Sequence, residues 1–552
     1  MSFVDRSIHC HFGNIHIQHA NASHYVESCM KNGLQNKRRA VVVHRRLVLP
    51  VIVLVAIAVA SLCVWRWSLE PGAVTKPLPA YWPTAGWHSS PPEAEGFDSA
   101  KLAQGLQAVQ QNHVNIHSLM IVRNGEVFLD AYFYPYDGST YHDLASVTKS
   151  VMTTLIGIAA DQGKLDLDKP MLSFFPNHTV ANRDARKERI TVRHLASMTS
   201  GLSCTAIPEE ITLEQMMTSP DWVQFALDRP MASEPGTRFV YDSPGVHLLS
   251  AILQQATGMT ALEFARKNLF EPLGITDVCW PSDLQGYTRG WGDLCLHPND
   301  AAKLGLLFLT QGRWENKQII SSEWIANATI KQAATGSYKA EDYGYGWWIS
   351  RGELVYFRAD GANGQRILVI PSMNLVLVTT GGGFELEEVI PYMEAAIVDL
   401  QKPLPANPEG VAQLEAEVKK CQQQPTAQPA PPLPDTAQSI STKTFTFETN
   451  PVQLRSIRID FNDSSVAILH MDIATEANPR VAAIGLDGVY RPSISGRPSV
   501  ARGTWTDNQT FTIDYNEGPG ITYHTFLMRF DGDRMTFEIG GLVTLEGKLA
   551  QP

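Results

Sequence analysis

Between Pro403 and about Ile440 the chain carries PLPANP and then QQQPTAQPAPPLP, with little that could form a core. No other feature constrains the fold as strongly. Each proline fixes a backbone angle and removes a hydrogen-bond donor, so the run reads as a semi-rigid, extended linker over 403–440. At 552 residues the chain is also too long for a single hydrophobic core. The linker therefore separates two folding units, and the hydrophobic period differs on its two sides.

Upstream, over 86–402, helical and strand patterns are mixed. HSLMIVRNGEVFLDAYF places two apolar runs around Asn124-Gly125, a dipeptide suited to the positive φ angles of a tight hairpin. YGYGWWI and RILVIPSMNLVLVTTGG supply further strands, and Thr260 with Glu263 forms a capping box ahead of LEFARKNLF. The pattern predicts an α/β (α+β) unit: an antiparallel sheet built from both ends of the segment, with helices packed on it. Downstream, over 441–552, KTFTFET, LRSIRIDF, SVAILHMDI, TFTIDY and RMTFEI alternate at a period of two, and Asp531-Gly532 marks a hairpin. About eight strands at this spacing predict an all-β unit, a small barrel of lipocalin-like kind or a sandwich.

The N-terminus predicts a membrane anchor. Leu47 to Trp65 is nineteen residues without a charge, preceded by Lys37, Arg38, Arg39, Arg45 and Arg46. That length crosses the hydrocarbon core, and the basic flank keeps 1–46 in the cytoplasm. The expectation is a single-pass protein of a bacterial inner membrane, with a span at 47–67, a proline-containing stalk at 68–85 and the rest periplasmic or extracellular. A cleaved signal peptide ending near Ala58-Val59-Ala60 competes with this, but the apolar, bulky Leu62 to Trp65 beyond it favours an uncleaved anchor. Ala60-Ser61-Leu62 before Cys63 is a poor lipid-attachment sequence, and Met30 is an alternative start. Of seven cysteines, Cys204, Cys279, Cys295 and Cys421 fall in the exported part; a Cys279–Cys295 bridge and free thiols are both compatible with the spacing. A net charge of −11 excludes the basic surface that nucleic-acid binding needs. Nothing specifies an oligomeric state.

The chemistry concentrates in DLASVTKSVMTTLIGIAADQGK. Ser146 to about Asp161 has helical length, Gly163 supplies a stop, and Val147, Val151, Met152, Leu155, Ile156, Ile158 and Ala159 spread apolar surface around the whole circumference. Such a helix is buried. Lys149 is anomalous in it, because the helix dipole disfavours a cation in the first turn and apolar neighbours cannot solvate one. Both effects lower a lysine pKa, and a neutral amine is what a general base must be. Ser146 lies three residues earlier on the same face, where a hydroxyl beside such an amine is an activated nucleophile. The bland alternative makes Ser146 an N-cap and Lys149 a solvated first-turn residue. A second element, Tyr241 with Ser243 just before another apolar helix in EPGTRFVYDSPGVHLLSAILQQATGM, favours the functional reading.

Here the sequence resembles a known family. SVTK, YDS, TVRHLASMTSGL, PGTRFVY followed by HLLSAIL, HPNDAAKLGLLFLTQGRWENKQIISSEWI and GQRILVIPSMNLVLVTT occur in the order seen in the β-lactamase-related serine hydrolases. These include class C β-lactamases, penicillin-binding proteins, D-amino-acid peptidases, esterases and the 6-aminohexanoate-dimer hydrolases. The likeness covers roughly residues 90 to 400 and implies a β-lactamase/transpeptidase-like fold. It implies that Ser146 is acylated, that Lys149 is its base and that Tyr241 relays a proton to the leaving group. Ser243 stands where the Y-x-N element usually carries asparagine. The family's third element, lysine or histidine, any residue, then glycine, matches Ala359-Asp360-Gly361, which would leave the backbone N–H groups of Ser146 and Ala362 as the oxyanion hole. Alanine at 359 removes the cation that would hold a penicillin carboxylate, Asp360 would repel an anion, and Arg366 is the nearby residue that could compensate.

The expectation is a serine hydrolase of small-molecule esters or amides, needing no metal or organic cofactor. A β-lactamase or D-amino-acid peptidase acting on cell-wall peptides is the alternative, and a non-catalytic wall-binding or sensor protein is the rival from another class. No G-x-S-x-G elbow, H-E-x-x-H, Walker loop or dinucleotide fingerprint is present. His194, His247 and His297 lack ligand-like spacing and read as hydrogen-bonded structural residues, whereas Trp347 and Trp348 fit a cleft wall or a buried strand equally.

Overall fold

The computed structural model describes residues 78–550, apart from 140, 207–209, 462–463, 497–498, 518–522 and 541–542. The expected anchor at 47–67, the segment before it and most of the stalk lie outside the described residues. Among those described, no helix is long and apolar enough to cross a membrane.

The first and last strands of the α/β unit meet in its sheet. β1 (Ile116–Arg123), β2 (Glu126–Tyr132), β3 (Asp342–Tyr343), β4 (Trp348–Ile349), β5 (Phe357–Gly361), β6 (Gln365–Ile370) and β7 (Leu375–Gly381) lie in the order β2-β1-β7-β6-β5-β4-β3. Every pairing is antiparallel. Asn124 and Gly125 close the β1–β2 hairpin with φ of 54° and 87°, as their sequence required. β1 and β7 are buried at every position without alternation because both faces of the sheet are covered. Met120, Val122, Val376 and Val378 point into one core, and Leu119, Ile121, Leu375 and Leu377 into the other. The first core packs the sheet against α2 (Val147–Asp161), α3 (Ser243–Thr257) and α4 (Pro298–Leu309). There α4 comes so close to β7 that a β-carbon on Gly305 would stand 2.4 Å from Val376 Cγ1. The second core packs it against α1 (Ser99–Gln111).

Two segments expected outside the cores belong to them. The supposed linker contains α5, Pro408–Gln422, whose Leu414 and Cys421 are buried in the second core and whose Glu417 accepts from Gln107 Nε2 of α1 at 3.0 Å. Val411, Leu414, Val418 and Cys421 make a helical stripe, and Pro408 sits at the first helical turn, where its missing N–H costs nothing. Flanking prolines and glutamines hid this pattern. Only 403–407 and 423–434 lack helix and strand, and Asp435–Ile440 is a short helix whose Ala437 and Ile440 are buried against the following unit. Likewise the described end of the stalk is packed: Trp82 lies 5.2 Å from the ring of Trp314, whose Nε1 donates to Thr84 Oγ1 at 2.9 Å.

Beyond Ser441 ten strands among the described residues, from Thr444–Phe447 to Val543–Leu549, form a closed barrel, with Phe445 opposite Leu549 at the seam. Ten replaces the expected count of about eight. Runs such as Arg491–Ser495 have no buried position, so they carry no apolar alternation to read. The interior is filled by side chains including Phe511, Ile513, Tyr515, Met528, Phe530 and Phe537. Tyr134 of the α/β unit reaches this barrel by donating its hydroxyl to Tyr490 O at 2.8 Å.

Candidate active site

The approach to α2 is fixed before the helix begins. His142-Asp143 pairs with Cys295-Leu296, and Leu144 N donates to Leu294 O at 2.8 Å. Cys279 and Cys295 form a disulfide across this strand, while Cys204 and Cys421 are free thiols. Ala145 adopts φ 47°, a region unfavourable for a residue with a β-carbon and found where surrounding structure over-determines the backbone. That turn delivers Ser146 to the N-cap position of α2. Its hydroxyl, however, makes no capping bond. It accepts from Lys149 Nζ at 2.7 Å, and the same ammonium donates to Trp291 O at 2.8 Å. An N-cap serine would spend its oxygen on a backbone N–H, so the bland alternative does not describe this residue.

Lys149 is 2% exposed in the first core. Burial pushes its pKa down to about 8, against upward pulls from Glu210, Asp293, Asp242 and Cys204. A substantial fraction is therefore neutral near pH 8. Tyr241, 7% exposed, has its ring centroid 4.8 Å from Lys149 Nζ, and its oxygen shares a hydrogen bond with Ser146. Burial, then Glu210 and Tyr343, push the phenol well above its ordinary value, so it stays protonated and serves as a donor. The residue between the two sequence-predicted ones, Asp242, carries the turn: it caps α3 through Gly245 N at 3.0 Å and is paired with the buried Arg229 at 2.7 Å.

The third element is near the nucleophile. A β-carbon on Gly361 would stand 2.5 Å from Leu144 O and 3.1 Å from Ala145 Cβ, so only glycine lets β5 approach the Ser146 turn this closely. Ala362 follows, exposed, at the start of the turn Ala362–Gly364. Ala359, two residues before Gly361, is fully buried in the core beneath α2 and offers nothing to the cleft. Asp360 is not the free anion expected. Burial works to raise its carboxyl, but Arg358, Lys339 and Arg366 outweigh it and hold the group below the ordinary range. Nor is Arg366 a free cation, since Asp360 and Glu385 engage it at 3.0 and 2.9 Å.

Sequence reasoning missed several neighbours that come from remote loops. Lys339 pairs with Asp360 and lies 4.4 Å from the ring of Trp348. Trp348, Tyr338 and Tyr241 form an aromatic wall, with ring planes within 19° of one another and centroids 5.8 to 6.0 Å apart. Trp347, by contrast, is core, packed on Phe308 at 4.3 Å. A cavity of about 630 Å³ opens beside the wall and is lined by Cys204, Arg238, Phe239, Tyr241 and Tyr338 among others. Ser243 is buried and donates to Glu210. His247 is paired with Asp283 at 3.0 Å, His297 with Asp277 at 3.0 Å, and His194 completes the capping box of Thr191. Among the described residues no cluster of three or more His, Cys, Asp or Glu side chains is arranged to hold a metal.

A β-lactamase family model matches residues 101–395. Protein flp of Staphylococcus aureus is 28% identical over 181 residues, which is 30% of this chain and 35% of that protein. ML-236A carboxylate methylbutanoyltransferase mlcH of Penicillium citrinum is 30% identical over 161 residues, 26% of this chain and 38% of that one. The matched region thus spans little more than a third of these curated relatives. Among solved structures, a Bacillus anthracis protein provisionally assigned as a 6-aminohexanoate-dimer hydrolase superposes with a TM-score of 0.50 at 19% identity, over 60% of this chain and 91% of that one. At that identity the likeness is one of fold.

Proposed function

Because the chain belongs to the β-lactamase family, whose model covers more than half of it, we propose that it is a serine hydrolase of ester or amide bonds working through an acyl-enzyme on Ser146. The observation that carries this reading is the 2.7 Å hydrogen bond between Lys149 Nζ and a Ser146 hydroxyl that caps nothing. In the neutral form Lys149 takes the Ser146 proton as Oγ bonds to the substrate carbonyl carbon. The carbonyl π pair moves onto oxygen, held by the N–H groups of Ser146 and Ala362. Tyr241 gives its proton to the departing oxygen or nitrogen as the old bond breaks, and Lys149 returns a proton to the phenolate. Water, or an acceptor alcohol in an acyl transfer, then releases the acyl group by the same steps in reverse.

Substitution of Ser146 by alanine is expected to reduce hydrolysis of p-nitrophenyl butyrate to background, and a fluorophosphonate probe is expected to label the native protein at Ser146 alone. Full activity in the alanine variant would overturn the mechanism. The uncharged run Leu47 to Trp65 and its basic flank support placing the catalytic unit outside the cytoplasm on an uncleaved anchor. Retention in the membrane fraction after a high-salt wash is expected, and a soluble form starting near Ser61 would refute it.

A further inference from the structure

Tyr241 has to meet Ser146 in one geometry, yet no regular element carries it. Residues 232–242 contain neither helix nor strand. Just before Tyr241, Val240 N donates to Met198 O at 2.9 Å, and the Tyr241 carbonyl accepts from the Cys204 thiol at 3.4 Å, which is a weak donor. The segment becomes fixed one residue later. Asp242 Oδ1 accepts from Gly245 N at 3.0 Å, which caps α3, and Oδ2 accepts from Ser200 Oγ at 3.4 Å.

Arg229 grips both of these oxygens. Nη1 donates to Oδ1 at 2.7 Å and Nη2 to Oδ2 at 3.1 Å, and two parallel bonds from a planar guanidinium fix orientation as well as distance. The arginine is itself anchored, because Nε donates to Ala226 O at 3.2 Å in the helix Trp222–Asp228 and Nη1 also reaches Ser203 O at 3.3 Å. Both partners are buried, at 5% and 3% exposure, and neither lines the cavity beside the aromatic wall. A buried ion pair gives little net stability beside an apolar pair of similar size, whereas its directional bonds specify a geometry. Here the specified geometry includes Tyr241, whose oxygen shares a hydrogen bond with Ser146 and whose ring lies 4.8 Å from Lys149 Nζ.

We propose that Arg229 is a positioning residue for Tyr241: its fork holds Asp242, and through Asp242 the irregular segment that aims the phenol at Ser146. The inference rests on Tyr241 as the proton donor to the leaving group and names the residue that keeps it in place.

The test measures kcat and KM of the full chain for p-nitrophenyl butyrate in Arg229→Met, in Tyr241→Phe and in the two combined. Displacing a reacting group by about 1 Å can cost about a hundredfold, so Arg229→Met should lower kcat by roughly that factor. KM should stay within about threefold, since Arg229 reaches no substrate. Arg229→Lys keeps the charge without the fork and should recover only part of the loss. In the Tyr241→Phe background Arg229→Met should cost no more than about twofold further, because the residue acts through the phenol. An unchanged kcat in Arg229→Met, a loss carried by KM, or an equal loss in both backgrounds would overturn the proposal. Should Arg229→Met not fold with Asp242 left as an unpaired buried charge, Arg229→Met with Asp242→Asn removes both charges and keeps an oxygen to cap α3, and the same comparison is made from it. Tyr241→Phe alone separates the two readings. Full activity there removes Tyr241 from the donor's role, whereas a large loss there with an additive effect of Arg229→Met removes only the positioning role.

Discussion

The two flanks of the candidate site are built on opposite plans. On the helical flank Ser146 and Lys149 belong to one buried helix and lie three residues apart, so helix geometry alone brings amine and hydroxyl together. On the other flank Glu210, Trp291, Lys339 and Gly361 arrive from separate loops and a strand, and only tertiary packing places them. Local geometry thus sets the amine–hydroxyl pair, whereas long-range packing sets the charges that surround it.

Removing the amine from the helical flank should produce the largest contrast. Lys149→Met is expected to lower kcat/KM for a neutral ester by about a thousandfold or more. In the native protein the rate should climb about tenfold between pH 6 and pH 7, then level off above the Lys149 pKa of about 8 as the base becomes neutral. A flat profile across that range would remove Lys149 from the base's role. The same substitution should not destabilise the fold. Burial lowers the folded-state pKa from the ordinary 10.5 to about 8, so the folded state resists protonation that the unfolded chain accepts. That mismatch costs about 3 kcal/mol at neutral pH and is relieved as pH rises from 8 through 10.5. Methionine avoids it while filling similar space, although Trp291 O loses a donor. An unfolding midpoint at or above the native one is expected; a fall of several degrees would show that the lysine is structural.

That asymmetry explains what could be read from the sequence. Lys149 stood out because a charge in an all-round apolar helix breaks a local rule, and Tyr241 because it precedes a second such helix. Gly361 and Ala362 were suggested only through resemblance, and Ala359, which lies on the strand Phe357–Gly361, was not seen to be sealed beneath α2. Glu210 and Lys339 carry no local signal, since a charged residue in a loop is ordinary until packing turns it inward. In the fold, the β1–β2 hairpin followed from Asn124-Gly125, whereas α5 was missed because prolines bracket its stripe of Val411, Leu414, Val418 and Cys421.

A smaller effect is expected where the two flanks touch. Gly361→Ala would drive a β-carbon to 2.5 Å from Leu144 O, which is backbone and cannot rotate away. The strand must retreat from the Ser146 turn, taking the Ala362 N–H with it. Loss of one well-placed oxyanion donor typically costs about a hundredfold in rate, so a drop of roughly that size in kcat is expected, with a KM change of only severalfold. Unchanged kcat would show that β5 is a structural neighbour and that the oxyanion donors lie elsewhere.

The smallest effect concerns charge on the loop flank. Penicillins and cephalosporins bring a carboxylate that needs a cation, and the strand position that would supply one is occupied by the buried Ala359. Lys339 is the substitute that packing provides, since it reaches the same strand and lies over Trp348. Yet it arrives already neutralised by Asp360, and Arg366 is shared between Asp360 and Glu385. An anionic ligand must therefore compete with an existing ion pair for a partly exposed ammonium, which leaves a net gain well under about 1 kcal/mol. Lys339→Met should accordingly lower kcat/KM for nitrocefin by less than about fivefold, from a native value already far below that for a neutral ester. Because the substitution also leaves Asp360 with one cation fewer, any larger fall should be shared by the neutral ester and read as a local rearrangement. A large fall confined to nitrocefin would show that Lys339 breaks from Asp360 to hold the carboxylate, and the loop flank would then serve anions after all.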